Sequence, residues 1–246
     1  MMKTAITITA RMKSTRLPLK VLRLINNNPL LEHLINRLKK SELADMIILC
    51  TSTNPGDEIL TDYAQKLSIN SFRGDEDDVL KRLYDAAVAN SIDFIVSTTA
   101  DNPLTDPNYI DKIFRRFKDT NADYITIQNL PLGTFSYGVK ITALKHVIKH
   151  KKETDTEIWG SYFANSPTFK KEIIMAETTL NHPEYRLTVD TPEDFALIRE
   201  IYKQLQSKEE IFSLNDVITL LSNNPNLLNI NKNSVQKRGP EIHFSD

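Results

Sequence analysis

The chain carries a single cysteine, Cys50, in 246 residues, which excludes a disulfide framework and a cysteine-rich zinc site. That usage predicts a reducing, cytoplasmic setting. Glycine is scarce too: six residues, about 2% of the chain against a usual share of about 7%. None of Gly56, Gly74, Gly133, Gly138, Gly160 and Gly239 falls into the dinucleotide pattern G-x-G-x-x-G. The nearest approach to a P-loop, Gly133 to Lys140, brings its lysine one place late, with no Ser or Thr after it. A nucleotide, if bound, must therefore be held by side chains. Charge of one sign is also missing, since 31 Lys and Arg face 32 Asp and Glu, for a formal net charge of -1. A dedicated nucleic-acid binder would show a basic excess. No apolar run approaches the roughly 18 residues of a membrane span. The stretch from Met1 to Lys13 lacks the small-residue cleavage pattern of a signal peptide.

What is present is ordinary in amount, with 40% hydrophobic and 26% charged residues, and informative in order. Strand-like and helix-like segments alternate through the first half, the mark of an α/β fold. Ala5 to Thr9, Met46 to Cys50, Ser71 to Arg73 and Phe94 to Thr98 read as strands. Leu31, Leu34, Ile35 and Leu38 share one face of a helix over Leu30 to Leu38. Further helices carry Ile59, Leu60, Tyr63, Ala64 and Leu67, and then Val79, Leu80, Leu83, Ala86 and Ala87. Asp106 and Pro107 open another, as N-cap and first helical residue. The segment from about 123 to 180 is less regular. Strands are expected there at Tyr124 to Ile127 and Tyr137 to Ile141, and helices at Thr142 to Lys151 and Glu157 to Ala164. Arg186 to Val189 reads as a strand entering a helix with Phe195, Ile198, Ile201 and Leu205, and a last helix covers about 214 to 222. One α/β domain over 1–246 with an embellished middle is the simplest account.

Chemistry concentrates in the loop after the first strand, Ala10 to Lys20. Arg11, Lys13, Arg16 and Lys20 with Ser14 and Thr15 fall within it, at the carboxyl end of a strand, where open α/β sheets bind ligands. Guanidinium forks and an ammonium suit a polyphosphate, and the hydroxyls can fill its remaining oxygens. A solvated basic loop is the plainer explanation. Asp101 also ends an apolar strand, where a carboxylate can hold Mg²⁺ beside substrate phosphates or simply form an Asx turn. Asp190 ends another, ahead of Thr191, Pro192 and Asp194, which read as cap, first position and capping-box partner. Two strand-end aspartates and a basic loop together are what metal-assisted nucleotidyl transfer requires. Asp75, Glu76 and Asp77 stand where a helix start favours acids, leaving Arg73, Asp78 and Arg82 as candidates for a base or ribose contact.

Other features carry less. His146 and His150 lie four apart on a helix but lack the Glu of H-E-x-x-H, and flanking lysines suggest a solvated face. Cys50 reads as a small core residue. Trp159 fits core, a sugar platform or a dimer contact equally well.

The pattern Ala10-Arg-x-x-Ser-x-Arg-Leu-Pro-x-Lys20 resembles the signature of the bacterial cytidylyltransferases that make CMP-Kdo and CMP-sialic acids. Phe72-Arg-Gly with Asp78-Val-Leu-x-Arg82, Thr99-Ala-Asp-Asn-Pro and Thr188-Val-Asp-Thr-Pro-Glu-Asp194 resemble the spore-coat-polysaccharide branch of that superfamily. The tail, with Asn224-Pro-x-Leu, Ile230-Asn231 and Gln236-Lys237, is similar to that branch too. The resemblance runs from residue 3 to about 237. It implies a Rossmann-like three-layer nucleotidyltransferase fold with a mixed, mostly parallel sheet. It also implies a homodimer, with the 123–180 segment serving acceptor binding and dimerisation, and the formation of a CMP-activated acid sugar and pyrophosphate from CTP for surface polysaccharide. Triphosphate binding falls to Arg11, Ser14, Arg16 and Lys20 with Ala10 alongside, and Mg²⁺ binding to Asp101 and Asp190. Arg11, Arg16, Lys20 and Asp101 are the implied catalytic set.

The chain departs from the family pattern in three places. Leu19 stands where many members have Gly, and Thr-Ala-Asp-Asn-Pro replaces the Gln-Gly-Asp-Glu-Pro of the Kdo branch. Around Leu132 to Tyr137, the Asp before the Gly and the Glu four residues after it are missing. These last positions bear on the acceptor. A phosphorylated or phosphonate acceptor, or a CTP-binding protein without turnover, are the other readings of the same residues.

Overall fold

The structure, a computed structural model, describes residues 2–206 and 211–236. Lys237 of the tail motif, Gly239 and Met1 lie outside the described residues. Nine strands appear among them: β1 (Thr4–Thr9), β2 (Leu24–Ile25), β3 (Asn28–Pro29), β4 (Met46–Ser52), β5 (Asn70–Gly74), β6 (Phe94–Thr99), β7 (Tyr124–Gln128), β8 (Tyr137–Lys140) and β9 (Lys171–Met175). The helices are α1 (Leu30–Leu38), α2 (Glu58–Lys66), α3 (Val79–Ala89), α4 (Pro107–Thr120), α5 (Ile141–His150), α6 (Ser161–Ala164), α7 (Pro192–Leu205) and α8 (Leu214–Asn223).

Seven strands form one sheet in the order β5-β4-β1-β6-β8-β7-β9, and only β8 runs against its neighbours. β1, rich in Thr and Ile and buried almost throughout, pairs in parallel with both β4 and β6. Such a strand needs cover on both faces, and the sheet has it. One core joins Ile6, Ile8 and Leu49 to α1, α2, α4, α7 and α8, while the other joins Ala5, Ile48 and Cys50 to α3, α5 and α6. The expected three-layer α/β architecture with a mixed, mostly parallel sheet is what the chain adopts. No helix among the described residues is long and apolar enough to cross a membrane.

Local chemistry sets the element ends near the site. Asp106 caps α4 by accepting from the backbone N–H of Asn108 (2.8 Å) and Tyr109 (3.2 Å), with Pro107 in the first turn. Thr191 and Asp194 form a capping box at the start of α7. Two expectations need correction. Arg186 to Val189 is extended but is no strand. It makes one bridge, to Leu132, because Val189 N donates instead to Asp101 O (2.8 Å). Only Ser161–Ala164 of the expected helix from Glu157 is helical. β9 was hidden, because Ile173, Ile174 and Met175 run together rather than alternating.

Gly133 explains how the irregular middle reaches the site. It sits at φ +95°, and a Cβ there would lie 2.4 Å from Thr188 N and 2.7 Å from Leu187 C. Only a residue without a side chain lets this loop press against the segment that carries Asp190. Gly133→Ala should destabilise the fold by on the order of 3 kcal/mol and lower activity by displacing Asp190. Thermal unfolding and a turnover assay check this, and a variant with wild-type values in both would show that the loop yields freely.

Candidate active site

The carboxyl ends of β1 and β6 open side by side, and the segment before α7 crosses in front of them. The loop after β1 is fixed from beneath by a residue whose role the sequence did not reveal. Asp57, 3% exposed, accepts from Met12 N (2.7 Å) and from the Ser52 hydroxyl. That carboxylate fixes the loop's backbone at Met12, next to Arg11. Leu19 adopts φ +56°, a left-handed conformation that suits glycine, so the family's usual Gly is a backbone requirement met here at some strain.

A cavity of about 600 Å³ lies above these strand ends, lined by Ala10, Arg11, Ser14, Arg16, Lys20, Arg82, Asp101 and Asp190 among others. Eight of the ten residues singled out from the sequence thus converge on one space. Arg73 and Asp78 do not line it. Arg73 donates to the backbone carbonyls of Ser52 (3.1 Å) and Asn54 (2.9 Å). Asp78, 8% exposed, caps α3 through Lys81 N (3.1 Å) and accepts from Lys151 Nζ (2.5 Å) and Thr156 Oγ1 (3.0 Å). Its carboxylate ties α3 to the 151–156 segment. Arg82 is fully buried, donates to Asp75 O (2.6 Å) and keeps an Nε without a hydrogen-bond partner. Burial lowers its pKa. Arg11 reaches Glu76 O (3.1 Å), Asp77 Oδ1 (3.5 Å) and Glu157 Oε1 (3.5 Å).

The floor is a knot of opposite charges. Lys20 Nζ sits 2.6 Å from Asp101 Oδ2, 3.1 Å from Asp190 Oδ1 and 3.2 Å from Val189 O. Arg16 Nη2 is 3.0 Å from the same Asp190 oxygen, and Arg186 Nη2 is 2.9 Å from the other. Burial opposes the charge on Lys20, but Asp101 and Asp190 outweigh it and raise its pKa. Burial likewise works against an ionised Asp190, and Lys20, Arg16 and Arg186 override it and lower its pKa. Asp194, beneath, accepts from Arg186 Nε and Nη2 (2.9 Å each) and from Asn231 Nδ2 (2.9 Å). Arg186 opens the Asp190 motif in the sequence, yet only the fold shows that it clamps both aspartates.

Asp101 and Asp190 therefore converge on one cation, the Lys20 ammonium. An oxygen pair already arranged around a positive charge fits a hard divalent ion, which takes one or two carboxylates with the rest from water and phosphate. The His146 and His150 rings lie 4.3 Å apart, but no group of three or more metal-ligating side chains is found among the described residues.

A second cavity of about 210 Å³ adjoins the first and shares Arg16, Thr99, Asp101, Glu157, Asp190 and Gln236 with it. Its far wall is Phe135, Tyr137 and Trp159. Trp159 is 6% exposed, meets Tyr137 edge to face at 5.4 Å and belongs to the core while lining this cavity. Two spaces that meet at a pair of carboxylates suit a reaction between two bound molecules.

The family model for cytidylyltransferases matches residues 5–223, nearly the whole described fold. The chain belongs to the cytidylyltransferase family. As a cytidylyltransferase it is a nucleotidyltransferase, which the two joined cavities and the basic loop accommodate. It is 34% identical over 225 residues to the spore coat polysaccharide biosynthesis protein SpsF of Bacillus subtilis, covering 89% of this chain and 93% of that protein. A cytidylyltransferase structure from Leptospira borgpetersenii superposes with a TM-score of 0.86 at 27% identity, over 97% of this chain and 100% of that one. The structure of CMP:2-keto-3-deoxy-manno-octonic acid synthetase complexed with CTP shares the fold, with a TM-score of 0.65 at 15% identity over 83% of this chain and 100% of that one.

Proposed function

We propose that this cytidylyltransferase transfers the cytidylyl group of CTP, with Mg²⁺, to a hydroxyl of an acid sugar of the Kdo or sialic-acid kind. It would act as a cytoplasmic homodimer of single-domain chains supplying surface polysaccharide. The observation that carries the reading is the meeting of the two cavities at Asp101 and Asp190. The larger takes the nucleotide and the smaller, with its aromatic wall, takes the acceptor, the role assigned to the 123–180 segment. The names of SpsF and of the synthetase solved with CTP support the polysaccharide setting and the nucleotide.

The chain's own residues do most of the work in this scheme. Arg11, Ser14 and Arg16 hold the triphosphate, the guanidinium planes matching its oxygens in pairs. Lys20 leaves its carboxylates for the phosphates and offsets the charge that builds on the departing pyrophosphate. Asp101 and Asp190 would hold the ion. When bound, it neutralises the phosphate oxygens and polarises the α-phosphorus. Arg82 reaches the cavity wall as the remaining candidate for a base or ribose contact. The acceptor hydroxyl attacks the α-phosphorus: its proton is given up to solvent, an O–P bond forms, and the bond to the pyrophosphate oxygen breaks to release pyrophosphate. No covalent enzyme intermediate is required.

Pyrophosphate release measured over the four nucleoside triphosphates and a panel of acceptors tests the scheme. Release is expected with CTP, Mg²⁺ and a 2-keto-3-deoxy acid sugar. Release with a phosphorylated or phosphonate acceptor alone would overturn the acceptor assignment, and equal rates with all four nucleotides would overturn the choice of CTP.

A further inference from the structure

The last described residues form a strap laid over the site, and its anchors are specific. Asn231 is 5% exposed and its amide donates to Arg186 O (3.0 Å) and Asp194 Oδ1 (2.9 Å). The Ser234 and Thr191 hydroxyls pair at 2.9 Å, and Arg16 Nη1 donates to Val235 O (3.4 Å). Arg186 Nη1 donates to Gln236 Oε1 at 2.7 Å. Each tie runs to the Arg186–Asp194 segment or to Arg16, so the strap is registered against Asp190 itself.

Gln236 is where the strap reaches the chemistry. It lines both cavities, in company with Asp101, Asp190, Arg16, Thr99 and Glu157. A guanidinium only donates, so the atom facing Arg186 must be the Gln236 carbonyl oxygen. That contact fixes the flip of the side-chain amide and leaves its Nε2 as the group offered elsewhere. Arg186 thus does two things at once: it clamps Asp190 and orients the Gln236 donor.

We propose that Gln236 is a substrate-contacting residue, its Nε2 donating to an oxygen of the phosphoryl group in transfer at the seam of the two cavities. This rests on the function proposed above. The seam is the one place where nucleotide and acceptor are both present, and an amide donor there meets an oxygen whose charge changes during transfer. Its contribution falls on turnover more than on CTP affinity. Arg186 acts as the positioning residue for this donor.

Gln236→Met keeps the length of the side chain and removes the donor, and Gln236→Glu keeps the acceptor for Arg186 while placing negative charge at the seam. Position 236 is exposed, and both variants should unfold at the wild-type temperature. Turnover is expected to fall about tenfold or more in Gln236→Met and about a hundredfold or more in Gln236→Glu. The dissociation constant of Mg·CTP for Gln236→Met should stay within about threefold of wild type. A Gln236→Met enzyme with turnover within twofold of a working wild type would overturn the assignment and leave the cytidylyl-transfer reading intact. A wild type that neither binds CTP nor releases pyrophosphate would bring down both.

Discussion

Asp190→Asn is expected to lower turnover by about a thousandfold, equivalent to roughly 4 kcal/mol of transition-state stabilisation, in protein that remains folded. The competing explanation is that Asp190 is a structural residue at a helix start. The structure gives that task to others, since Thr191 caps α7 and Asp194 completes the box. Asp190 instead faces Lys20, Arg16 and Arg186, two of which belong to the basic loop. Fold integrity rests on the Asp194–Arg186 pair, which the substitution leaves in place. Asp101→Asn should behave alike, since its Oδ2 meets the same ammonium. Neutralising either aspartate leaves the loop's cations free to attract a triphosphate, so CTP affinity without metal should hold or rise while turnover collapses. Steady-state rates with direct CTP titrations separate the two quantities. Turnover of Asp190→Asn within tenfold of wild type would remove it from the metal site.

Lys20→Met should produce two opposite effects. Without nucleotide, the variant should bind Mn²⁺ about tenfold or more tightly than wild type, because an ammonium and a divalent ion compete for the same two carboxylates. With CTP, turnover should fall by about a hundredfold or more, because the charge that would follow the pyrophosphate is gone. Wild type should take the metal readily only in the presence of the triphosphate, which gives Lys20 another anion to meet. Mn²⁺ titrations by electron paramagnetic resonance, with and without CTP, read the first effect independently of any activity. Equal Mn²⁺ affinity in the two free proteins would mean that Lys20 does not occupy the metal's place. Arg16→Lys, which keeps the charge and loses the paired donors, should also be harmful, though less so.

The sequence displayed the parts of the site that follow strand ends. Buried strands such as β1 and β6 announce themselves by apolar runs, and polar residues just beyond them fall at the ligand-binding edge. Ala10, Arg11, Ser14, Arg16, Lys20 and Asp101 were legible for that reason. Arg73 and Asp78 looked the same in one dimension, but their polar atoms answer to neighbours distant in the chain, Ser52 and Asn54 for the one and Lys151 and Thr156 for the other. Nothing local distinguishes a carboxylate already satisfied from one still available. The contacts of Asp57 with Met12 and of Gln236 with Arg186 were hidden similarly, since each is made across the fold, whereas Arg186 meets Asp190 only four residues on. The Arg186 to Val189 segment has a strand's composition but loses its ladder to Asp101, an outcome set by packing. Leu19 was visible only against a family pattern, and its positive φ supplies the physical reason for that pattern.

Thermal unfolding with added Mg·CTP tests most directly whether CTP and a divalent ion bind together at Asp101 and Asp190. At a free concentration about 100-fold above the dissociation constant, wild type should gain about 2.7 kcal/mol of stability. The same protein should gain much less from Mg²⁺ alone, and an Asp101→Asn, Asp190→Asn double variant should lose the added effect of the ion. A folded wild type whose unfolding temperature ignores Mg·CTP, or a double variant that responds to it as wild type does, would contradict the account.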